Sequence, residues 1–236
     1  MGMRLEVCVD TAEGLATAIA GGADRIELCA ALVLGGLTPS AGLMGLAAAS
    51  PVPVMAMIRP RAGGFVWSET EVAVMEAEIA AARAAGLAGV VLGASLSDGR
   101  LDGGVLERLV VAAAGMDLTL HRCFDLVPDR GEALELAIGL GFRRVLTSGG
   151  AVTVGEGMAQ IAMLVAQAAG RVTIMPGSGV GPDLVAALKA LGIAEIHGSC
   201  SVPMAVAKGL EDMGFSPAGL RQTDAGKLRA LRRAMD

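Results

Sequence analysis

Gly22-Ala23-Asp24-Arg25-Ile26-Glu27-Leu28-Cys29 holds a helix stop and a strand within eight residues. Gly22 suits the left-handed position that closes a helix, and Ile26, four residues on, lies in a short β-rich run. The spacing returns at Gly86 and Val90, Gly141 and Val145, Gly170 and Ile174, and Gly192 and Ile196. One helix-to-strand junction used five times predicts a repeated βα unit.

Outward from these junctions the chain alternates. Strand-like runs fall at Arg4–Val9, Arg25–Leu28, Val52–Ile58, Gly89–Leu92, Leu118–His121, Arg144–Thr147, Val172–Met175 and Glu195–His197, with helical patterns between most of them. Ser68 and Glu71 form a capping box that opens a helix running to Ala85. Pro39, Pro128 and Pro182 stand near other helix starts, and Asp224 reads as the N-cap of a last helix ending near Met235. Eight strands with seven or eight helices in 236 residues predict an α/β fold, a (β/α)8 TIM-type barrel forming a single domain over 1–236. The rival is a doubly wound open sheet, which wants a glycine-rich loop after its first strand. Here that turn reads Val9-Asp10-Thr11-Ala12-Glu13-Gly14.

Composition narrows the function. The chain is 53% hydrophobic, 18% charged and 2% aromatic, with a net charge of -5, so it is too apolar to be disordered and too acidic for a nucleic-acid module. Its mean hydropathy is +0.61. Gly35, Gly36, Pro39, Pro51 and Pro53 nevertheless break the longest charge-free stretch, Leu28 to Ile58. No membrane-spanning helix is expected. The start, MGMRLEVCVD, lacks the apolar run of a signal peptide, so a cytoplasmic protein is expected. With two His a three-His metal site is excluded, and none of the three Lys ends a strand-like run, which argues against Schiff-base chemistry. Cys8, Cys29, Cys123 and Cys200 form no CxxC pair and read as free thiols.

In a barrel of this type the chemistry lies where strands end and βα loops begin. Period-two alternation groups Glu6, Cys8 and Asp10, and separately Glu27 and Cys29. Arg59 and Arg61 follow strand three, and His121, Arg122, Cys123 and Asp125 follow strand five. Ser148 follows strand six, Pro176 to Gly179 follow strand seven, and His197 ends strand eight. Part of this set suits a structural ion network inside the barrel, with Glu6, Glu27, Arg25 and Arg59 as members.

Three constellations emerge. Cys8, Cys29 and Cys200 end neighbouring strands, and thiolates are soft donors suited to copper(I). Glu27, His121, Asp125 and His197 suit acid–base catalysis on an anionic substrate, or alternatively a divalent metal. Arg59, Arg61, Arg122, Ser148 and the loop glycines Gly177 and Gly179 suit binding of that anion.

The runs GGADRIELCAALVLGGLTPSAGL (21–43), MIRPRAGGFVWSETE (57–71), LTLHRCFD (118–125), RRVLTSGG (143–150), IMPGSGV (174–180) and EIHGSC (195–200) together resemble the CutC family, named for copper homeostasis. The likeness covers nearly the whole chain in order. It implies a TIM-type barrel in the cytosol, a homo-oligomer expected as a dimer, and a link to copper. Carried over, the family's polar positions fall on Glu6, Cys8, Glu27, Cys29, Arg59, Arg61, His121, Arg122, Asp125, Ser148 and His197. Cys200 is not among them, and TSGG stands where members often have Gln after the first glycine.

Two functions follow as expectations. The first is a copper homeostasis protein whose metal, copper(I), sits on Cys8 and Cys29 at the C-terminal mouth of the barrel. The alternative is a lyase or isomerase acting on a small phosphorylated or carboxylated compound, since arginines at a mouth repel a metal cation and attract an anion. A third reading is a scaffold whose helices build an oligomer. No nucleic-acid or membrane partner is expected. The segment Ser201 to Thr223 is long for a βα loop and is expected to cover the mouth or join a subunit interface.

Overall fold

A computed structural model describes residues 2–236. Eight parallel strands make the central sheet: β1 (Arg4–Val9), β2 (Arg25–Leu28), β3 (Val54–Met57), β4 (Gly89–Leu92), β5 (Asp117–Leu120), β6 (Arg144–Thr147), β7 (Thr173–Pro176) and β8 (Glu195–Gly198). The order β7-β6-β5-β4-β3-β2-β1-β8 pairs β1 to β7 in sequence order and brings β8 back onto β1. An open doubly wound sheet reverses its strand order at a switch point. This one runs round a nearly closed barrel whose seam lies between β7 and β8.

Around it stand α1 (Ala12–Ala20), α2 (Ala41–Ala47), α3 (Glu69–Ala84), α4 (Gly103–Ala112), α5 (Arg130–Gly139), α6 (Val154–Ala168), α7 (Val185–Ala190), α8 (Lys208–Asp212) and α9 (Ala225–Met235). The predicted junction is a real motif. Gly22, Gly86, Gly141, Gly170 and Gly192 all have φ between 76° and 89°. At four of these ends the next residue, Ala23, Leu87, Phe142 or Ile193, donates its N–H back to a carbonyl five residues earlier and buries its side chain. This is the Schellman closure, which turns the chain from the helix into the following strand. The Ser68–Glu71 capping box and the Asp224 cap are both present. The third strand is shorter than predicted, Val54–Met57 rather than Val52–Ile58, since Pro51 and Pro53 withhold ladder donors. The fifth runs Asp117–Leu120, leaving His121 just beyond its end.

The two faces of the strands differ. Leu5, Val7 and Val9 of β1, Ile26 and Leu28 of β2, and Val90 and Leu92 of β4 point outward into the apolar layer beneath the helices. The opposite parity fills the barrel. On the β2–β4 side it is apolar, with Met55, Met57, Val91 and Cys29 packed together. On the other side it is ionic. Arg25 pairs with Glu6 and, at 2.6 Å, with Glu195; Arg144 reaches Glu195 at 3.1 Å and Asp117 at 2.8 Å.

After β8 the 201–223 segment forms a two-stranded antiparallel ribbon, β9 (Ser201–Pro203) with β10 (Arg221–Thr223), carrying α8 between its strands. Met204, Leu210, Met213 and Phe215 are exposed on it. Among the described residues no helix is long and apolar enough to cross a membrane.

Candidate functional site

The strand register carries the site. In it Glu6 stands beside Arg25 on one neighbour and His197 on the other, and Cys8 stands beside Glu27. Their side chains share the barrel interior, so β1, β2 and β8 present a thiol, two carboxyls and an imidazole to one another. His197 Nδ1 lies 2.8 Å from Glu6 Oε1, and its Nε2 lies 3.8 Å from Glu27 Oε2. One donor atom from each of Cys8, Glu27 and His197 lies within 4.8 Å of the other two. The Cys29 thiol reaches Glu27 Oε2 at 3.5 Å. Gly177 makes room at the seam, because a Cβ there would lie 3.3 Å from His197 Cβ and 2.6 Å from Leu146.

The two carboxyls flanking His197 are held in opposite directions. Burial alone would raise Glu6, but its hydrogen bond with His197 and the charge of Arg25 outweigh that and hold its pKa down to about 2. Burial raises Glu27, and the His197 charge only partly offsets it. Burial would strip the proton from His197, yet the Glu27 charge and further contacts with Cys8 and Glu6 raise its pKa well above the usual range. Burial, reinforced by Glu27, pushes the Cys29 thiol well up. Glu27 Oε1 is buried and accepts no hydrogen bond.

A pH dependence of stability follows from Glu6. Its folded pKa lies below the ordinary 4.5, so its stabilising contribution is complete above pH 4.5 and disappears as pH falls towards about 2. Urea midpoints measured across that window should fall steeply in the parent and less steeply in Glu6→Gln. Equal slopes would show that Glu6 is not part of the acid-sensitive network.

His121 lies elsewhere on the mouth. It accepts a hydrogen bond at Nδ1 from the Cys123 N–H at 3.1 Å, which assigns the ring proton to Nε2. Burial, with Arg59 nearby, lowers its pKa to about 3, so the ring is neutral. Its Nε2 is buried and has no partner. Its ring centroid is 4.8 Å from that of Phe65, and Arg59 Cζ stands 5.1 Å from the same Phe65 centroid. Arg59 donates to the carbonyls of Leu34, Gly36 and Gly63, leaving its Nε–H without an acceptor.

The other candidates have local partners. Arg61 is half-exposed, paired with Glu71 and stacked 4.6 Å from the Trp67 ring. Arg122 pairs with Asp125 at 2.7 Å. Both Asp125 oxygens are occupied, accepting from Thr147 Oγ1, the backbone N–H groups of Ser148 and Gly150, and Ser148 Oγ. The single Ser148 hydroxyl proton is shared between Asp125 and the Ala151 carbonyl, and the oxygen accepts from Arg122. Asp125 thus fills the cradle of backbone donors that follows β6. The Gly177 N–H is spent on Thr147 O, while Gly179 turns the exposed loop with φ 77°. All four thiols are free, and Cys200 is half-buried.

Some of the interior was not singled out in advance. Glu195, Arg144 and Asp117 complete the ion network, and Phe65 and Trp67 wall the mouth. The signal for the network was available, since Arg25, Arg144 and Glu195 each open a strand at the interior parity.

Comparison with known proteins gives a consistent result. The sequence profile of the CutC family matches residues 3–202. A protein from Rhizobium meliloti named as a family protein CutC is 58% identical over 236 residues, covering 99% of this chain and 96% of its own. A Vibrio cholerae protein of the same name is 47% identical over 201 residues, covering 84% and 79%. A solved structure described as a copper homeostasis protein CutC, from Streptococcus agalactiae, superposes with a TM-score of 0.80 at 31% identity, covering 84% of this chain and 98% of that one.

Proposed function

The chain belongs to the CutC family, and on that premise we propose that it takes up copper(I) as its cargo at the upper end of the barrel, on Cys8 and His197 with Cys29 close by. The observation that carries this reading is the convergence of Cys8, Glu27 and His197, with donor atoms within 4.8 Å of one another. A thiolate and an imidazole suit copper(I). The imidazole is already oriented. Glu6 occupies Nδ1 and leaves Nε2 turned towards Glu27, an arrangement in which an outer carboxylate fixes a metal-binding histidine. Glu27 brings negative charge and an unpartnered oxygen beside the cation. The description of the Streptococcus agalactiae neighbour as a copper homeostasis protein supports the reading.

The arginines oppose it less than their number suggests. Arg61 and Arg122 are each neutralised by an acid, which leaves Arg59 as the one to explain. Four free thiols fit a reducing compartment, so a cytosolic location belongs to the same proposal.

The test is a copper(I) titration of the reduced protein against a competing chelator. The parent should bind one equivalent. Loss of an outer partner of a metal site costs about 10- to 100-fold in affinity, and loss of a ligand should cost at least that. Cys8→Ser should therefore bind at least about 100-fold more weakly, with Cys8→Ala, Cys29→Ala weaker still. Parent-like affinity in Cys8→Ser would overturn the proposal.

A further inference from the structure

Among the described residues three arginines are buried, and one of them lacks an acid. Arg25 has Glu6 and Glu195, and Arg144 has Asp117 and Glu195. Arg59 is 7% exposed and its guanidinium donates only to three backbone carbonyls. Neutral carbonyls hold a guanidinium in place without cancelling its charge, and an uncompensated buried charge is strongly unfavourable. Its Nε–H is an unused donor, and the His121 Nε2–H is another. Both side chains lie against the Phe65 ring, at 5.1 Å and 4.8 Å from its centroid. Unpartnered buried donors are rare enough to need a cause. Here two stand with a full positive charge beside one phenyl ring, just past the ends of β3 and β5 on either side of β4.

We propose that the Arg59 Nε–H and the His121 Nε2–H, both beside Phe65, form a binding site for the carboxylate of a small organic acid. A monoanion matches the single free charge. A phosphate dianion would want a second cation, and both arginines that follow in the sequence on these loops, Arg61 and Arg122, are already paired with acids. A planar carboxylate has two oxygens, and each can accept one N–H donor. His121 is suited to the role because its neutral ring offers a fixed donor and no competing charge.

The 60–67 loop closes the site. The Phe65 carbonyl accepts from Ser95 N–H at 2.8 Å, and Trp67 Nε1–H donates to Gly93 O at 2.9 Å. Both donors are sealed from solvent with the loop down, so the acid enters when the loop lifts. Gly63 and Gly64 at its tip, Gly63 with φ 92°, allow that movement.

The chain supplies its own reporters. Trp67 is the only tryptophan and lies in the loop, and His121 is one of two histidines, so indole fluorescence and imidazole NMR each resolve the site. Pyruvate is titrated into metal-free, reduced protein. The expected result is a saturable shift of the His121 imidazole and a matching change in Trp67 fluorescence, with Kd of about 1 mM or tighter, within reach of so small a ligand. Arg59→Met should weaken binding by about 10- to 100-fold, the range for one charge-assisted hydrogen bond. Because Arg59 also holds loop carbonyls, Arg59→Lys is run beside it. It keeps the charge and loses the Nε–H, and should bind between parent and Arg59→Met. Cys8→Ser should respond to pyruvate as the parent does, which separates this site from the copper reading. An absent or unsaturable response overturns the proposal. So does inorganic phosphate binding more tightly than pyruvate, or unchanged pyruvate binding in both Arg59 variants.

Discussion

Arg25→Met is expected to lower the stability of the protein by about 3–5 kcal/mol, the range for removing one partner from a buried ion pair. The reason lies in the charge balance inside the barrel. Glu6, Glu195 and Asp117 face Arg25, Arg144 and the His197 imidazole, and Glu27 stands on the other side of His197. Arg25 is 4% exposed and touches two of those acids, with Met175 Sδ 3.2 Å from one of its nitrogens. Methionine fills much of the space but leaves Glu6 to His197 alone and Glu195 to Arg144 alone. The surplus negative charge then has no water to spread into. For a domain of this length the change corresponds to a drop in Tm of roughly 10 °C. Adding Glu195→Gln to Arg25→Met removes the surplus and should restore part of the loss, a coupling of about 0.5–3 kcal/mol. A loss below about 1 kcal/mol for Arg25→Met, or a double variant no better than the sum of the singles, would show that solvent reaches this interior.

The ion network also shows why the sequence was legible in some places and opaque in others. Gly22 and its four counterparts were readable because backbone geometry at a helix end depends on residues a few positions apart. Five copies of that local rule predict a βα repeat, and a repeat of this length closes into a barrel. Glu6, Cys8, Glu27 and Cys29 were readable as a group because strand alternation is also local and strands one and two are neighbours in any such barrel. His197 joined them only through closure, when β8 met β1. Arg61 and Arg122 looked like anion clamps because their residue type and loop position suit that role. What the linear order hides is the choice of partner. Glu71, ten residues from Arg61, and Asp125, three from Arg122, were as near in sequence as any substrate group would be in space. The separation of Arg59 from its neighbours, paired arginines beside an unpaired one, is a property of side-chain geometry alone.

Gly157→Ala is expected to cost at least about 3 kcal/mol, although alanine normally favours a helix by about 1 kcal/mol over glycine. Gly157 is in the first turn of α6, and its Cα faces the loop after β6. A Cβ there would stand 1.8 Å from the Ser148 carbonyl oxygen and 3.1 Å from Gly149 Cα. Those neighbours are backbone. They cannot turn aside as a flexible side chain does, and Ser148 is further fixed by its N–H and hydroxyl on Asp125. The helix must therefore move away from the barrel, which loosens Val154, Ile161 and Leu164, each nearly inaccessible to solvent on the buried face of α6. It also disturbs the Asp125 cradle that holds Arg122. Gly155, two residues earlier in the same helix, meets nothing closer than 4.0 Å. Gly155→Ala should be neutral or stabilising by up to about 1 kcal/mol. Opposite signs from the same substitution two residues apart would locate the effect in the contact between helix and loop rather than in helix propensity. Urea denaturation of the two variants reads the difference directly, and a Gly157→Ala midpoint equal to that of Gly155→Ala would mean that α6 does not lie against the β6 loop at this distance.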